Sequence, residues 1–156
     1  MAGGRVAWTV ERGRQGPVVR LYAFSPGRRA WVLRLRAGGP DQALRRALVR
    51  TADLTGDARP ELVVGFRLHG LDGLSYEVLS FPRGRRPGVA LHAWLAHGRV
   101  TVEDGQLSEY YGLSEADGGP CCARYLRTVL RWDGSAFRPV STRGPFPAAS
   151  VPASDF

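Results

Sequence analysis

The residues whose types and spacing could do chemistry lie first in the run Asp53-Leu54-Thr55-Gly56-Asp57-Ala58-Arg59-Pro60-Glu61. Oxygen-bearing side chains occupy its first, third, fifth and ninth positions (Asp53, Thr55, Asp57, Glu61), and Arg59 at the seventh offers a backbone carbonyl. A hard cation such as calcium takes about six to eight oxygens, and alternation of this kind in a tight loop is how a short segment wraps one. The same residues can work without a metal, as turn caps whose carboxylates accept backbone N–H bonds. Both readings stand at this point: calcium held by Asp53, Thr55, Asp57, Arg59 and Glu61, or a self-capped turn.

Cys121 and Cys122 are the only cysteines, and they are neighbours. Adjacent side chains of an extended strand point to opposite faces, so the pair does not readily share one partner. A vicinal disulfide is expected in an oxidising compartment and two partly buried thiols in a reducing one. Two thiolates are half of a four-thiolate zinc site, and His92 and His97 are far off in sequence, so zinc is not expected. With His69 they read as scattered surface or hydrogen-bonded histidines.

Glu103, Asp104, Glu109, Glu115 and Asp117 make a loosely acidic stretch. Paired carboxylates are the machinery of glycoside hydrolysis, but nothing in this spacing fixes their separation, and charges on turns and an exposed face are expected instead. Tyr110, Tyr111, Trp94 and Trp132 sit at strand spacing, which suits core packing; stacking on sugars or bases is the alternative. No Gly-x-Ser-x-Gly, phosphate-cradling loop or His-Glu-x-x-His occurs. No catalytic residue is therefore assigned, and the expectation is a non-enzymatic module for binding or structure.

Two resemblances attach to these residues. The stretch 52–64 resembles the Asp-x-Asn-x-Asp-Gly-x-x-Asp-Leu loop of FG-GAP or VCBS repeats, found in integrin α-subunit propellers and bacterial surface proteins. Position by position, Asp53, Thr55, Asp57 and Glu61 match the side-chain ligand places and Gly56 the first glycine. Thr55 replaces an Asn or Asp, Ala58 stands where a second glycine supplies positive φ, and Glu61 is one methylene longer than Asp. The motif occurs once, so the resemblance does not imply a propeller, which needs about four such blades. More broadly, a single Asp-Leu-Thr-Gly-Asp loop, hairpins, Cys121-Cys122 and the closing run 125–134 are similar to actinobacterial secreted proteins and lipoproteins of the LppP/LprE type. That likeness spans about residues 45–140 and implies an extracytoplasmic setting. No lipobox cysteine stands near the start, so lipid anchoring is not supported.

The composition sets the charge in context. The net charge is +8, all 22 basic residues are Arg, and Lys, Asn and Ile do not occur. The three missing residues have AT-rich codons, which points to a GC-rich bacterial genome and makes part of the arginine content a mutational default. A basic surface still draws polyanions over long range, so an Arg-rich polyanion-binding domain is the alternative function, with nucleic acid the less favoured ligand. No apolar run is long enough to span a bilayer, and residues 1–14 lack a continuous apolar signal segment. Either the protein is cytoplasmic or it is a mature extracytoplasmic domain whose signal has been removed.

The elements that must position these groups read as short strands. Period-two alternation marks 6–11, 18–24 and 30–36 as a meander, with Trp31, Leu33 and Leu35 on one face and Ser25-Pro26-Gly27 as a turn whose positive φ falls on Gly27. Residues 41–49, with Ala43, Leu44, Ala47 and Leu48 at helical spacing and Asp41 as N-cap, predict a short helix or helical turn, with the run-in to a strand ending at Ala52 as the alternative. Strands follow at 61–68, 74–81, 89–96, 99–103, 106–111 and 124–132, and Asp133-Gly134 closes a last hairpin through 136–140. The fold class is mainly β, an antiparallel meander or curled sheet, sandwich or barrel-like, with at most one short helix. One domain is expected over 1–140, with 141–156 a Pro-rich C-terminal segment that wraps an edge and then runs loose.

Overall fold

The computed structural model describes residues 5–13, 16–38, 44–68, 73–82, 86–113 and 121–156. The strands among them are β1 (Val6–Gly13), β2 (Gly16–Ser25), β3 (Ala30–Ala37), β4 (Leu44–Ala52), β5 (Glu61–Leu68), β6 (Gly73–Ser80), β7 (Gly88–Ala96), β8 (Arg99–Glu103), β9 (Gln106–Leu113), β10 (Arg124–Trp132) and β11 (Phe137–Pro147). A single 3₁₀ turn, Ala148–Ser150, follows. They form three antiparallel meanders in chain order, β1-β2-β3, β4-β5-β6-β7 and β8-β9-β10-β11. None closes on itself, so of the expected sandwich and barrel-like arrangements the stacked sheets of the former are observed.

The middle sheet is apolar on both faces, and this decides the stacking. On β5, Leu62, Val64 and Phe66 join Leu79 of β6 in packing against Val19, Leu21 and Ala37 of the first sheet. The alternate residue Val63 packs with Leu74, Tyr76, Val78 and Leu95 against Val100, Leu107, Leu130 and Phe137 of the third. Burying each such aliphatic side chain contributes roughly 1.5–3 kcal/mol.

Residues 44–49 belong to the strand that ends at Ala52, the alternative to the expected helix; Asp41 and Ala43 lie outside the described residues. Ala47 and Val49 pack toward the first sheet while Leu48 packs toward the third. A strand covered on both faces has no polar side, and its run of apolar residues imitates helical spacing.

Two further expectations are corrected in the first sheet. The β2–β3 pairing passes from Leu21↔Leu35 to Tyr22↔Leu33, skipping Arg34. This bulge turns Trp31 and Leu33 to the face opposite Leu35, where they stand about half exposed at 47% and 49%. In the 26–29 turn, Arg28 N–H bonds Ser25 C=O and Arg29 N–H bonds Pro26 C=O. Two successive turns of that kind move the positive φ to Arg29 (48°), not Gly27.

The proline-rich 141–156 segment is packed rather than loose at its end. Residues 141–147 continue β11 along the rim of the third sheet. The chain then crosses β8: Arg99 donates to the Val151 and Pro152 carbonyls, Val100 N–H to Ser154 Oγ, and Val102 N–H to Asp155 Oδ2 at 2.7 Å. Phe156 ends buried between the second and third sheets. Its ring lies on Gly65, where a Cβ would come within 2.5 Å of the phenyl side chain. The aromatic anchor and the missing Cβ, not proline content, decide the segment's fate.

Candidate functional site

The 53–61 loop joins β4 to β5 at one end of the middle sheet, and it is built from its own carboxylates. Asp53 accepts the N–H groups of Gly56 (2.8 Å) and Ala58 (2.9 Å), and Asp57 accepts that of Arg59 (3.0 Å). Glu61 opens β5 with 2% of its surface exposed and accepts the N–H groups of Leu54 (2.9 Å) and Thr55 (3.2 Å) and the Thr55 hydroxyl (3.1 Å). Arg59 reaches the Phe81 carbonyl through its guanidinium at 3.4 Å. Burial raises the Glu61 pKa above the ordinary carboxylate value; its hydrogen bonds pull it down and the nearby Asp57 charge adds to the rise.

The backbone takes left-handed conformations at both glycine places of the repeat it resembles, Gly56 at φ 76° and Ala58 at φ 61°. Asp53, Thr55, Asp57, Arg59 and Glu61 are thus brought together in one loop, with their carboxylates serving as backbone acceptors. A polar cleft of about 500 Å³ opens beside the loop, lined by Thr55, Asp57, Arg86, Trp132 and Ser135. A second of about 400 Å³, lined by Trp8, Arg59, Leu62 and Phe81 among others, lies toward the first sheet.

The acids expected on turns and open faces divide. Glu103 and Asp104 are exposed beside the β8–β9 turn, where Asp104 (φ 48°) and Gly105 (φ 69°) form the tight hairpin. Glu109 is instead a core residue, 3% exposed, and accepts the hydroxyls of Tyr76 and Tyr111 from the second and third sheets. Burial, reinforced by the Glu109 carboxylate, raises both tyrosine pKa values. Glu115 and Asp117 lie outside the described residues. Among the described residues the two buried carboxylates, Glu61 and Glu109, are each committed to donors of the fold itself.

At the opposite end from the 53–61 loop, the turn after β7 meets the residues entering β10. A disulfide joins Cys121 to Cys122. His97 and the two cysteines place one ligand atom each within 4.8 Å of one another. The approach is allowed by Gly112 of β9, where a Cβ would collide with Cys122 Sγ. His97 was expected to lie apart from the cysteines; the strand register brings it there, 24 positions from Cys121 in the chain. The signal in the sequence was Gly112 itself, since a glycine inside a strand marks a close approach. His92, by contrast, pairs with Glu77 (3.3 Å) on an exposed strand, and His69 lies outside the described residues.

The outer face of the third sheet collects arginines. Arg127 of β10 stands directly opposite Arg143 of β11, and Arg131 opposite Arg138. Arg127, Arg131 and Arg143 line a groove of about 210 Å³ with Gln106 and Ser141. Arg127 donates to Ser108 Oγ at 3.0 Å and lies over the Tyr110 ring, 5.9 Å from its centre. Among the described residues no carboxylate pairs with Arg127, Arg131 or Arg143, whereas Arg138 pairs with Asp133 at 3.3 Å. Like charges directly opposite one another destabilise a sheet unless something neutralises them.

Trp132 lies against Phe137 (ring centres 5.3 Å) and Tyr110 is buried, as core packing requires, while Trp94 is 52% exposed on β7. Among the described residues no helix is long and apolar enough to cross a membrane. No protein-family model, curated protein or solved structure matches the chain.

Proposed function

We propose that this chain is a non-enzymatic β module of the bacterial cell envelope that binds an anionic polymer across the outer face of its third sheet. The carrying observation is the Arg127–Arg143 cross-strand pair with Arg131 beside it, three guanidiniums around one groove without an acid among them. Chance enrichment of arginine explains how many there are, but their same-face placement, with no carboxylate paired to them among the described residues, is what a polyanion would complete. The non-enzymatic part rests on the commitment of Glu61 and Glu109 to partners inside the fold. The extracytoplasmic setting rests on the resemblance of residues 45–140 to secreted actinobacterial proteins.

Heparin, as a polyanion probe, tests this. Log affinity should fall linearly with log salt, and the Arg131→Ala/Arg143→Ala double variant should lower that slope by about two. Arg34→Ala/Arg36→Ala removes the same charge from the first sheet and should leave the slope nearly unchanged. Equal losses from both variants would reduce the effect to net charge and overturn the reading.

The 53–61 loop serves that module as a clasp rather than as a calcium site. Six hydrogen bonds from Leu54, Thr55, Gly56, Ala58 and Arg59 already occupy oxygens of Asp53, Asp57 and Glu61, and Glu61 is buried where a cation would have to displace them. Melting temperature should not move when calcium is raised to a few millimolar. A rise of several degrees would restore the calcium reading.

A further inference from the structure

We infer that in the reduced protein Cys121, Cys122 and His97 bind one soft d10 cation, and that the Cys121–Cys122 disulfide is the closed form of that site. Metal–sulfur bonds of about 2.3 Å and metal–nitrogen bonds of about 2.0 Å put ligand atoms up to roughly 4.6 Å apart around one ion. The three ligand atoms here already lie within 4.8 Å of each other, so breaking the sulfur–sulfur bond leaves them with little to travel. All three residues are partly exposed, which gives an ion and a reductant access.

The donor set selects the cation. Two thiolates and an imidazole are soft and borderline ligands, suited to Cu(I), Zn(II) or Cd(II) and poorly suited to calcium or magnesium. Two thiolates and a neutral imidazole also leave a divalent ion with no net charge, the electrostatically cheap state for a partly buried site.

The redox step balances as a thiol–disulfide exchange. An external dithiol attacks the Cys121–Cys122 bond, is itself oxidised to a disulfide, and leaves two thiols on the protein. Cation binding then displaces both thiol protons to solvent, so affinity rises with pH. In the reverse exchange an external disulfide is reduced to a dithiol as Cys121 and Cys122 close, which removes both thiolates at once and releases the ion.

Titration with Cd(II) under anaerobic conditions tests the site, because thiolate ligation gives a charge-transfer band in the near ultraviolet that oxygen ligands do not. Protein reduced with a phosphine and desalted should take one equivalent with that band, and the disulfide form none. His97→Gly is the informative variant. His97 has φ 49°, a conformation glycine adopts freely, so the turn is retained while the imidazole is lost. It should weaken Cd(II) binding about tenfold or more, at least what losing an outer-shell partner costs a metal site. Cys121→Ser should abolish the band. Unchanged affinity in His97→Gly, a stoichiometry of half an ion per chain, or no band in the reduced protein would each overturn the inference.

Discussion

Ala58 carries a cost that its neighbour Gly56 does not. A residue with a Cβ held at φ 61° gives up roughly 1 kcal/mol relative to glycine, since the left-handed region crowds the Cβ against the backbone. Ala58→Gly should therefore stabilise the protein by about that amount, read as a rise of about 3 °C in melting temperature for a chain of this size. The loop's ligand-like spacing was legible in the sequence, but its use was not. Spacing alone does not say whether a carboxylate oxygen faces an N–H group of its own loop or an ion. Glu61 offers a separate test through its titration. Burial raises its pKa, so the folded state favours the protonated acid more than the unfolded chain does. That contribution is present in full below the unfolded pKa near 4.5 and is lost as pH climbs through the raised folded value. The melting temperature of the wild type minus that of Glu61→Gln should accordingly shrink as pH rises above about 4.5. A constant difference would mean that Glu61 titrates alike in both states.

At the scale of elements, alternation recovered strands wherever one face is wet. Trp8 and Val10 of β1, or Leu130 and Arg131 of β10, sit on strands that the two-residue period located. The period failed where physics erases it. At Ala47, Leu48 and Val49 β4 is covered on both sides and shows no alternation, so the spacing of those residues also fits a helix. In β3 the pattern was present, but the bulge at Arg34 reversed its meaning for Trp31 and Leu33, and nothing local to the sequence announces a bulge of that kind. The contact between Gly65 and Phe156 belongs here as well. Phe156→Ala removes a ring buried to 3% exposure and should cost about 3 kcal/mol in chemical denaturation. Gly65→Ala should cost at least 1 kcal/mol by pushing that ring from its seat.

For the whole molecule, the order of sheets in space follows their order in the chain, so each layer is complete before the next is made. The arginine-bearing face and the His97–Cys121–Cys122 cluster both belong to the last layer, and neither was visible from composition, because each depends on which residues the β9–β10–β11 register sets side by side. The closing residues act differently from every other segment. They cover the exposed rim of β8, the first strand of the third sheet, and they leave the ribosome after every strand of that sheet. Through all of that sheet's synthesis its open hydrogen-bonding rim stays available to neighbouring nascent chains. Crowded expression should thus be the condition this protein tolerates least, and slowing translation or lowering temperature should raise its soluble yield more than any change to its surface.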